Sequence, residues 1–409
     1  MTTTVPQSTT TGASGALPFV VPLLAVGTFL MCTSEYIVAG LLQQMSAGLN
    51  VSVSQVGLLI TAFAIGMVIG TPVMAVATLR LPRRVTLVLA LLVFALGHVV
   101  AVFSSDFTIV LTARVLTAVA TGAFWAVAAV VATTAAGPAR SSRALGVMMS
   151  GVGLATVAGV PLGSFAGQLL GWRGTFWGLA IAAVIIAVVI RRFAPADEQR
   201  EAQSARSEIS ALASGRTWLL VVGTVLVTGA YMGAFSYISP LLTGRTRLPE
   251  WAIPIVLICF GVGALIGTNL AGRFADRRPM QTFLNATAGI GIVLALLLPL
   301  SALAVPTVIL VFLLGIFGMA VPPVATGLAV RFAPSAPTLA AALAVAAFNA
   351  GTAIASWIES DALGGPLGVT APESIGIVMV VLGSIPLMVL VLRRATRQSE
   401  PVPANRSNP

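Results

Sequence analysis

Long apolar runs separated by short polar breaks make up most of this chain. Twelve stretches are long enough to cross a bilayer: residues 19–43, 54–78, 85–103, 107–135, 144–170, 173–190, 217–242, 251–272, 281–303, 306–330, 338–358 and 374–392. A hydrocarbon core ~30 Å thick needs ~20 apolar residues of helix. Runs of this length predict helices, because barrel strands would be ~10 residues long and alternate in polarity. The longest polar segment, Arg191 to Arg216, carries Asp197, Glu198, Glu201 and Glu208 among its arginines and divides the runs six and six. Its mixed charge suits a solvated linker too short to fold alone. The pattern predicts an all-α integral membrane protein of 12 transmembrane helices. Its parts are a tail over 1–17, a six-helix bundle over 18–193, a linker over 194–216, a second bundle over 217–393 and a tail over 394–409.

Composition agrees with that reading. Of the 409 residues, 57% are hydrophobic and 8% charged, and the mean hydropathy is +1.02. A soluble domain of this size does not read this way. Residues 1–17 are rich in Thr and Ser and carry no charge. A signal peptide would have a basic start and a shorter apolar core, so this segment reads as a disordered tail. Cys32 and Cys259 fall inside apolar runs, where two isolated thiols give neither a disulfide framework nor a metal site.

Charge sets the expected orientation. The chain has no Lys, so all 22 basic residues are Arg. With a cytoplasmic N-terminus, the outer loops hold only Arg173, Arg245 and Arg247, and the inner segments hold the arginine clusters at 80–84, 140–143, 191–216, 273–278 and 393–397. The positive-inside rule then places both termini in the cytoplasm. The net charge of +10 follows from that asymmetry. It does not point to nucleic acid, since the arginines are spread over many short loops.

One carboxylate breaks the pattern. Glu35 lies within the first apolar run, in Met31-Cys32-Thr33-Ser34-Glu35-Tyr36. An ionised carboxylate near a bilayer midplane costs several kcal/mol unless it is paired, hydrated or protonated, so a residue of this kind is a functional candidate by default. The two halves also repeat. Gly66-Met-Val-Ile-Gly70-Thr71 in the second run matches Gly263-Ala-Leu-Ile-Gly267-Thr268 in the eighth, and the same offset pairs Arg80 with Arg277. Small residues spaced by four let helix backbones approach closely. Repeated halves with six helices each place a substrate near the midplane between them.

At these residues the chain resembles the major facilitator superfamily, along all twelve runs. Gly272-Arg273-Phe-Ala-Asp276-Arg277-Arg278 is similar to the superfamily's cytoplasmic-loop motif. The first-half copy keeps Arg80, Arg83 and Arg84 but has Leu79 where the aspartate would stand. Leu111-Thr-Ala-Arg114 resembles the arginine motif linked to proton coupling. Gly159, Pro161, Gly163 and Gly167 resemble the glycine–proline motif of antiporters, with Val160 interrupting the Gly-Pro pair. Thr33-Ser34-Glu35-Tyr36 and Phe63-Ala-Ile-Gly66 carry the resemblance toward the drug-efflux branch, toward chloramphenicol exporters and arabinose-type sugar efflux proteins.

The resemblance implies two pseudo-symmetric six-helix bundles, with the first and fourth helices lining a central cavity. Counting from the ends of the runs, Glu35 and Arg114 are both roughly 10–12 Å below the outer surface, so the two are expected to interact and to couple proton movement. A static ion pair that only orders helices is the competing role. Arg114, Thr117, Thr121 and Trp125 share one face of the fourth helix and, with Tyr36, Tyr231, Phe235 and Asn349, are the expected cavity residues. Tyr237 lies beside them. His98, the only histidine, is expected to be a hydrogen-bonded structural residue more than a relay. Glu359 and Asp361 are expected to face water.

No phosphate-cradling loop, metal-ligand cluster or nucleophile–base pair is visible. A membrane enzyme or a membrane sensor would need a catalytic cluster or a sizeable soluble segment that the sequence lacks. The reading is a proton-driven antiporter exporting a small amphiphilic drug, without cofactor, as a monomer whose partners are substrate, protons and lipid. Sugar or metabolite efflux is the alternative, and the scarcity of Asn, Gln, Asp and Glu in the helices favours the aromatic substrate.

Overall fold

The computed structural model describes residues 17–78, 81–137, 140–194, 214–275, 277–333 and 337–398. The expected tail up to residue 16, most of the linker, Arg80 and Asp276 lie outside the described residues. The first helices are α1 (Val20–Leu49), α2 (Val53–Ala77), α3 (Arg83–Phe103) and α4 (Phe107–Ala136). Ser141–Leu154, a π-helical turn over Ala155–Gly159 and the start of Val160–Phe193 form α5. The apolar run Arg143–Phe193 is 51 residues long, about 75 Å as one straight helix and over twice a bilayer core. Gly171 breaks it with φ 73° and ψ 162°, a left-handed conformation that glycine adopts without steric penalty. The remainder, residues 172–193, is α6.

The second half follows the same plan with α7 (Gly215–Ser236), a short helix Ile238–Gly244, α8 (Ile253–Ala275), α9 (Pro279–Leu300), α10 (Ala304–Phe332), α11 (Pro337–Ala362) and α12 (Ala371–Gln398). Among the described residues there is no strand. Large apolar side chains such as Ile69, Leu170 and Val305 are exposed on the bundle surface. A patch this extensive is covered by hydrocarbon in a membrane protein. Two boundaries differ from the hydropathy reading. α1 continues to Leu49 and stops at Asn50, a left-handed cap at φ 54°. α7 stops at Ser236 because Pro240 lacks the N–H that would donate to the Ser236 carbonyl.

The repeated glycines make the same contact in each half. A Cβ at Gly70 would sit 3.0 Å from Val119 Cα, and one at Gly66 would press on Ala118, so α2 and α4 touch almost backbone to backbone. In the second half, Gly263 and Gly267 face the carbonyls of Phe312 and Ile316, which locks α8 to α10. Gly122 of α4 and Gly315 of α10 complete these contacts from the other side.

α5 sits between the halves. Pro161 has no N–H to offer the Val157 carbonyl, and the π turn just before it absorbs the irregularity, with the Val160 N–H donating to the Ala155 carbonyl. Gly159, Gly163 and Gly167 face Thr33, Ile37 and Leu41 of α1, one helical turn apart. On its other side, the Thr156 carbonyl rests against Gly261 of α8.

The end of the bundle where α1 finishes is called the outer end here, after the side that the arginines imply. There the halves are joined. Gln43 donates to Thr243, Ser54 pairs with Ser360, Thr61 with Ser356 at 2.8 Å, and Gln168 donates to the Glu250 carbonyl at 2.6 Å. Tyr237 reaches across to α2, where only a glycine at position 57 leaves room for its hydroxyl.

This packing predicts opposite outcomes at two glycines of one helix. Gly267→Val would drive a side chain into the Ile316 backbone, and overpacking of this kind destabilises by about 1–3 kcal/mol. Gly272→Ala meets nothing within 4 Å. Thermal unfolding of the purified protein should show a clear drop for the first and wild-type behaviour for the second.

Candidate functional site

Helix geometry separates the side chains of Ser34 and Glu35. Successive residues on a helix point about 100° apart. Ser34 therefore turns into the first bundle toward α3 and α4, and Glu35 turns toward the second half. There Glu35, Tyr36 and Ala39 of α1 line a cavity with Ile60, Phe63 and Ala64 of α2, Met232, Phe235 and Ser236 of α7, and Thr352 of α11. Two helices from each half thus enclose one half-buried carboxylate in a mostly apolar wall. The cavity is narrow, about 20 Å³, room for a water molecule or so. Phe235 stacks on Phe260 of α8 with ring centroids 4.1 Å apart, which fixes that wall.

Ser34 faces Arg114, whose guanidinium is 1% exposed. Its Nη1 donates to the Ser34 carbonyl and to the Ser34 hydroxyl, both at 3.1 Å. The Ser34 hydroxyl also meets His98 Nε2 at 2.9 Å, and His98 Nδ1 lies 2.8 Å from the Phe94 carbonyl. A carbonyl only accepts, so Nδ1 carries a proton and Nε2 is left to accept from Ser34. The chain of donors runs from Arg114 through Ser34 and His98 to Phe94. The Arg114 guanidinium carbon also lies 4.4 Å from the centre of the Phe63 ring, a cation–π contact of about 2 kcal/mol when desolvated. Phe63 lines the cavity, so the guanidinium stands just behind the cavity wall.

Arg114 and Glu35 form no ion pair among the described residues. Nε and Nη2 of Arg114 are buried without a hydrogen-bond partner, and Nη1 is held by Ser34. The two charges still act on each other across the gap. Arg114 meets α1 at Ser34, the residue next to Glu35, but the depth count does not explain that meeting. Since α1 runs to Leu49, Glu35 is 49 − 35 = 14 residues from its end, not eight.

Several expected cavity residues lie elsewhere. Thr117 donates to the Arg114 carbonyl and Thr121 to the Thr117 carbonyl, each at 2.8 Å, with Met31 Sδ also near Thr121. A threonine that bonds back to its own helix is satisfied without a cavity. Trp125 packs against Phe63 and Met67. Tyr231 is buried with its hydroxyl 3.9 Å from Met319 Sδ, and Asn349 donates to the Val345 carbonyl. None of these five lines this cavity, whereas Tyr36 and Phe235 do. Glu359 corrects the expectation that it faces water. It is 0% exposed, covered where the two halves close together, while Asp361 is exposed. Arg83 reaches Thr134, Arg277 and Arg278 are exposed, and Gly272 has open space around it. Ser34, Phe63 and Thr352 were missed as site residues. Ser34 was legible in principle, being a hydroxyl beside an intramembrane carboxylate.

Twelve crossing helices in two related halves, with a charged cavity where four of them meet, define a membrane transporter rather than an enzyme. The family model of the Major Facilitator Superfamily matches residues 24–356, most of the chain, and the chain belongs to that superfamily. It is 34% identical over 360 residues to a chloramphenicol resistance protein of Streptomyces lividans, covering 87% of this chain and 92% of that one. It is 28% identical over 375 residues to a probable sugar efflux transporter of Mannheimia succiniciproducens, covering 91% and 93% of the two chains. In fold it is similar to a bacterial homologue of the lysosomal transporter Spinster in an inward-facing, occupied conformation, with a TM-score of 0.72, 16% identity and coverage of 95% and 100%.

Ser34→Ala tests the network behind the cavity. It deletes the hydroxyl joining Arg114 to His98 and keeps the carbonyl contact. Leaving a buried donor on Arg114 and a buried acceptor on His98 unsatisfied costs about 1–3 kcal/mol for each group, so the unfolding midpoint should fall. An unchanged midpoint would show that the hydroxyl is not a structural link.

Proposed function

We propose that the protein is a proton-coupled antiporter that exports a small, amphiphilic, aromatic molecule of the chloramphenicol kind across the bacterial plasma membrane, with both termini in the cytoplasm. The observation that carries this reading is Glu35, a carboxylate lining an otherwise mostly apolar cavity between the halves. Small-molecule sites have that character, with a few polar groups fixing orientation. Glu35 binds a proton in one state of the cycle and gives it up in another. Arg114 stays charged throughout, and its two unpartnered nitrogens, Nε and Nη2, are available to donate to the carboxylate or to an acceptor on the substrate once Phe63 shifts. Proton and substrate then exclude each other, which is the requirement for exchange transport.

Similarity to a chloramphenicol resistance protein over 92% of its length supports the substrate class. Sugar efflux is the second reading, supported by similarity to the probable sugar efflux transporter. The lining favours the aromatic substrate, because Glu35, Tyr36, Ser236 and Thr352 are its only polar side chains. The π turn and glycines of α5, packed on α1 and α8, serve as the moving contact between cavity openings.

Growth inhibition of a pump-deficient bacterium expressing the chain, across a panel that includes chloramphenicol and sugars, tests the substrate class. Glu35→Gln should leave the protein folded and inserted but abolish pH-gradient-driven export in everted vesicles. Export at the wild-type rate by that variant would remove Glu35 from the mechanism. Gly163→Leu should push on Ile37 and Thr175, 2.6 and 3.3 Å from where its Cβ would sit. It is expected to stop alternation while substrate affinity stays within about three-fold, a change of less than about 1 kcal/mol. Equilibrium binding together with cysteine accessibility from each side separates this from a direct role in binding.

A further inference from the structure

The second half buries two carboxylates that the cavity does not use. Glu359, near the end of α11, is 0% exposed, and Glu373, in the first turn of α12, is 1% exposed. All four carboxyl oxygens are buried with no hydrogen-bond partner in another residue, and the two groups act on each other electrostatically. The Glu359 carboxyl lies against Gly233 of α7, where any Cβ would collide with it. The fold thus makes room for this side chain and gives it nothing to bond.

The surroundings leave no fixed counter-ion in contact. From the end of α7, Tyr237 faces Glu359, but its hydroxyl donates to the Ser356 carbonyl at 2.8 Å. From α2 come hydroxyls only, Ser54 and Thr61, which are engaged with Ser360 and Ser356. From α12 comes Glu373 itself. Beyond it stands Arg245, whose Nη2 donates to the Leu298 carbonyl at 3.0 Å. An ionised carboxylate buried without a partner is strongly unfavourable, and two adjacent ones more so. The chemical form that fits such a pocket is the neutral acid.

Position gives that chemistry a use. Glu359 adjoins Ser360 and lies one turn from Ser356, the two residues of α11 that hold the halves together at the outer end. Parting those contacts would admit water to Glu359. We propose that Glu359 and Glu373 form a second proton-binding site, separate from Glu35, that is occupied while the outer ends are closed and vacated when they open. The step is protonation of a carboxylate by a proton from the outer aqueous side, with no other bond made or broken. By linkage, a proton bound in the closed state favours closure, and closure favours the bound proton. This site rests on the reading of the protein as a proton-coupled transporter, but its test does not require transport.

The test measures the distance between spin labels at Ala47→Cys and Leu367→Cys, on the outer ends of the two halves, in purified full-length protein lacking Cys32 and Cys259. The wild-type background should shift toward the longer distance as pH is raised from about 5 to about 8, the range in which perturbed carboxylates titrate. Glu359→Gln should stay at the short distance throughout, and Glu373→Gln should lose most of the shift. Glu35→Gln should keep the part of the shift that depends on Glu359. If Glu359→Gln is not recovered folded, Glu373→Gln carries the same comparison. A wild-type pH response in both variants overturns the proposal. So does a shift produced by sodium chloride at constant pH and absent with pH alone, which would assign the site to a metal cation. Proton-driven export at the wild-type rate by Glu35→Gln, with an intact Glu359-dependent distance change, would defeat the coupling role of Glu35 and leave this site standing.

Discussion

The arrangement of the first bundle depends on where one buried guanidinium finds its hydrogen bonds. Arg114 cannot shed its charge and has almost no contact with solvent. The fold satisfies it with the carbonyl and hydroxyl of Ser34 and the face of Phe63. That choice draws α1, α2, α3 and α4 into register, because Ser34 also holds His98 and Phe63 also walls the cavity. It also keeps Glu35 out of a permanent ion pair. A carboxylate locked to an arginine would be a structural strut. One that faces a cavity with the arginine one ring away is free to exchange partners.

Close helix packing is the second constraint, and glycine supplies it. With little hydrophobic force between helices in lipid, contact depends on surfaces that let backbones meet. The α2–α4 and α8–α10 contacts do this with the same glycine spacing in both halves. α5 does it twice, with α1 in its own half and with α8 in the other. The first kind of contact makes each half a stiff unit. The second joins the two halves, and the π turn beside Pro161 is where its helix departs from regular geometry.

Much of this was legible in the sequence. The twelve spans follow from hydropathy, and the cost of charge in hydrocarbon singles out Glu35, which does line the cavity between the halves. What was not legible depends on which surfaces meet. The end of α1 reads as a loop because Gln43 and Gln44 are polar, yet Gln43 is spent on Thr243 of the other half. Glu359 reads as water-facing because it is near a helix end, but that end is covered by α2 and α7. The polar stripe of α4 reads as a cavity wall, although Thr117 and Thr121 bond to their own helix. Depth counted from helix ends misjudged where α1 stops and could not give the partners of Glu35 and Arg114, since Ser34 and Glu35 differ by one residue and face different halves.

The central claim is that Glu35 holds a proton or makes way for substrate, but not both. Linkage makes the claim measurable without a membrane, because a ligand that displaces a proton must release it. Chloramphenicol added to purified protein in weakly buffered detergent solution should acidify the medium by about one proton per bound molecule, and the release should vanish in Glu35→Gln. Binding with no proton release in the wild-type protein at any pH would contradict the account.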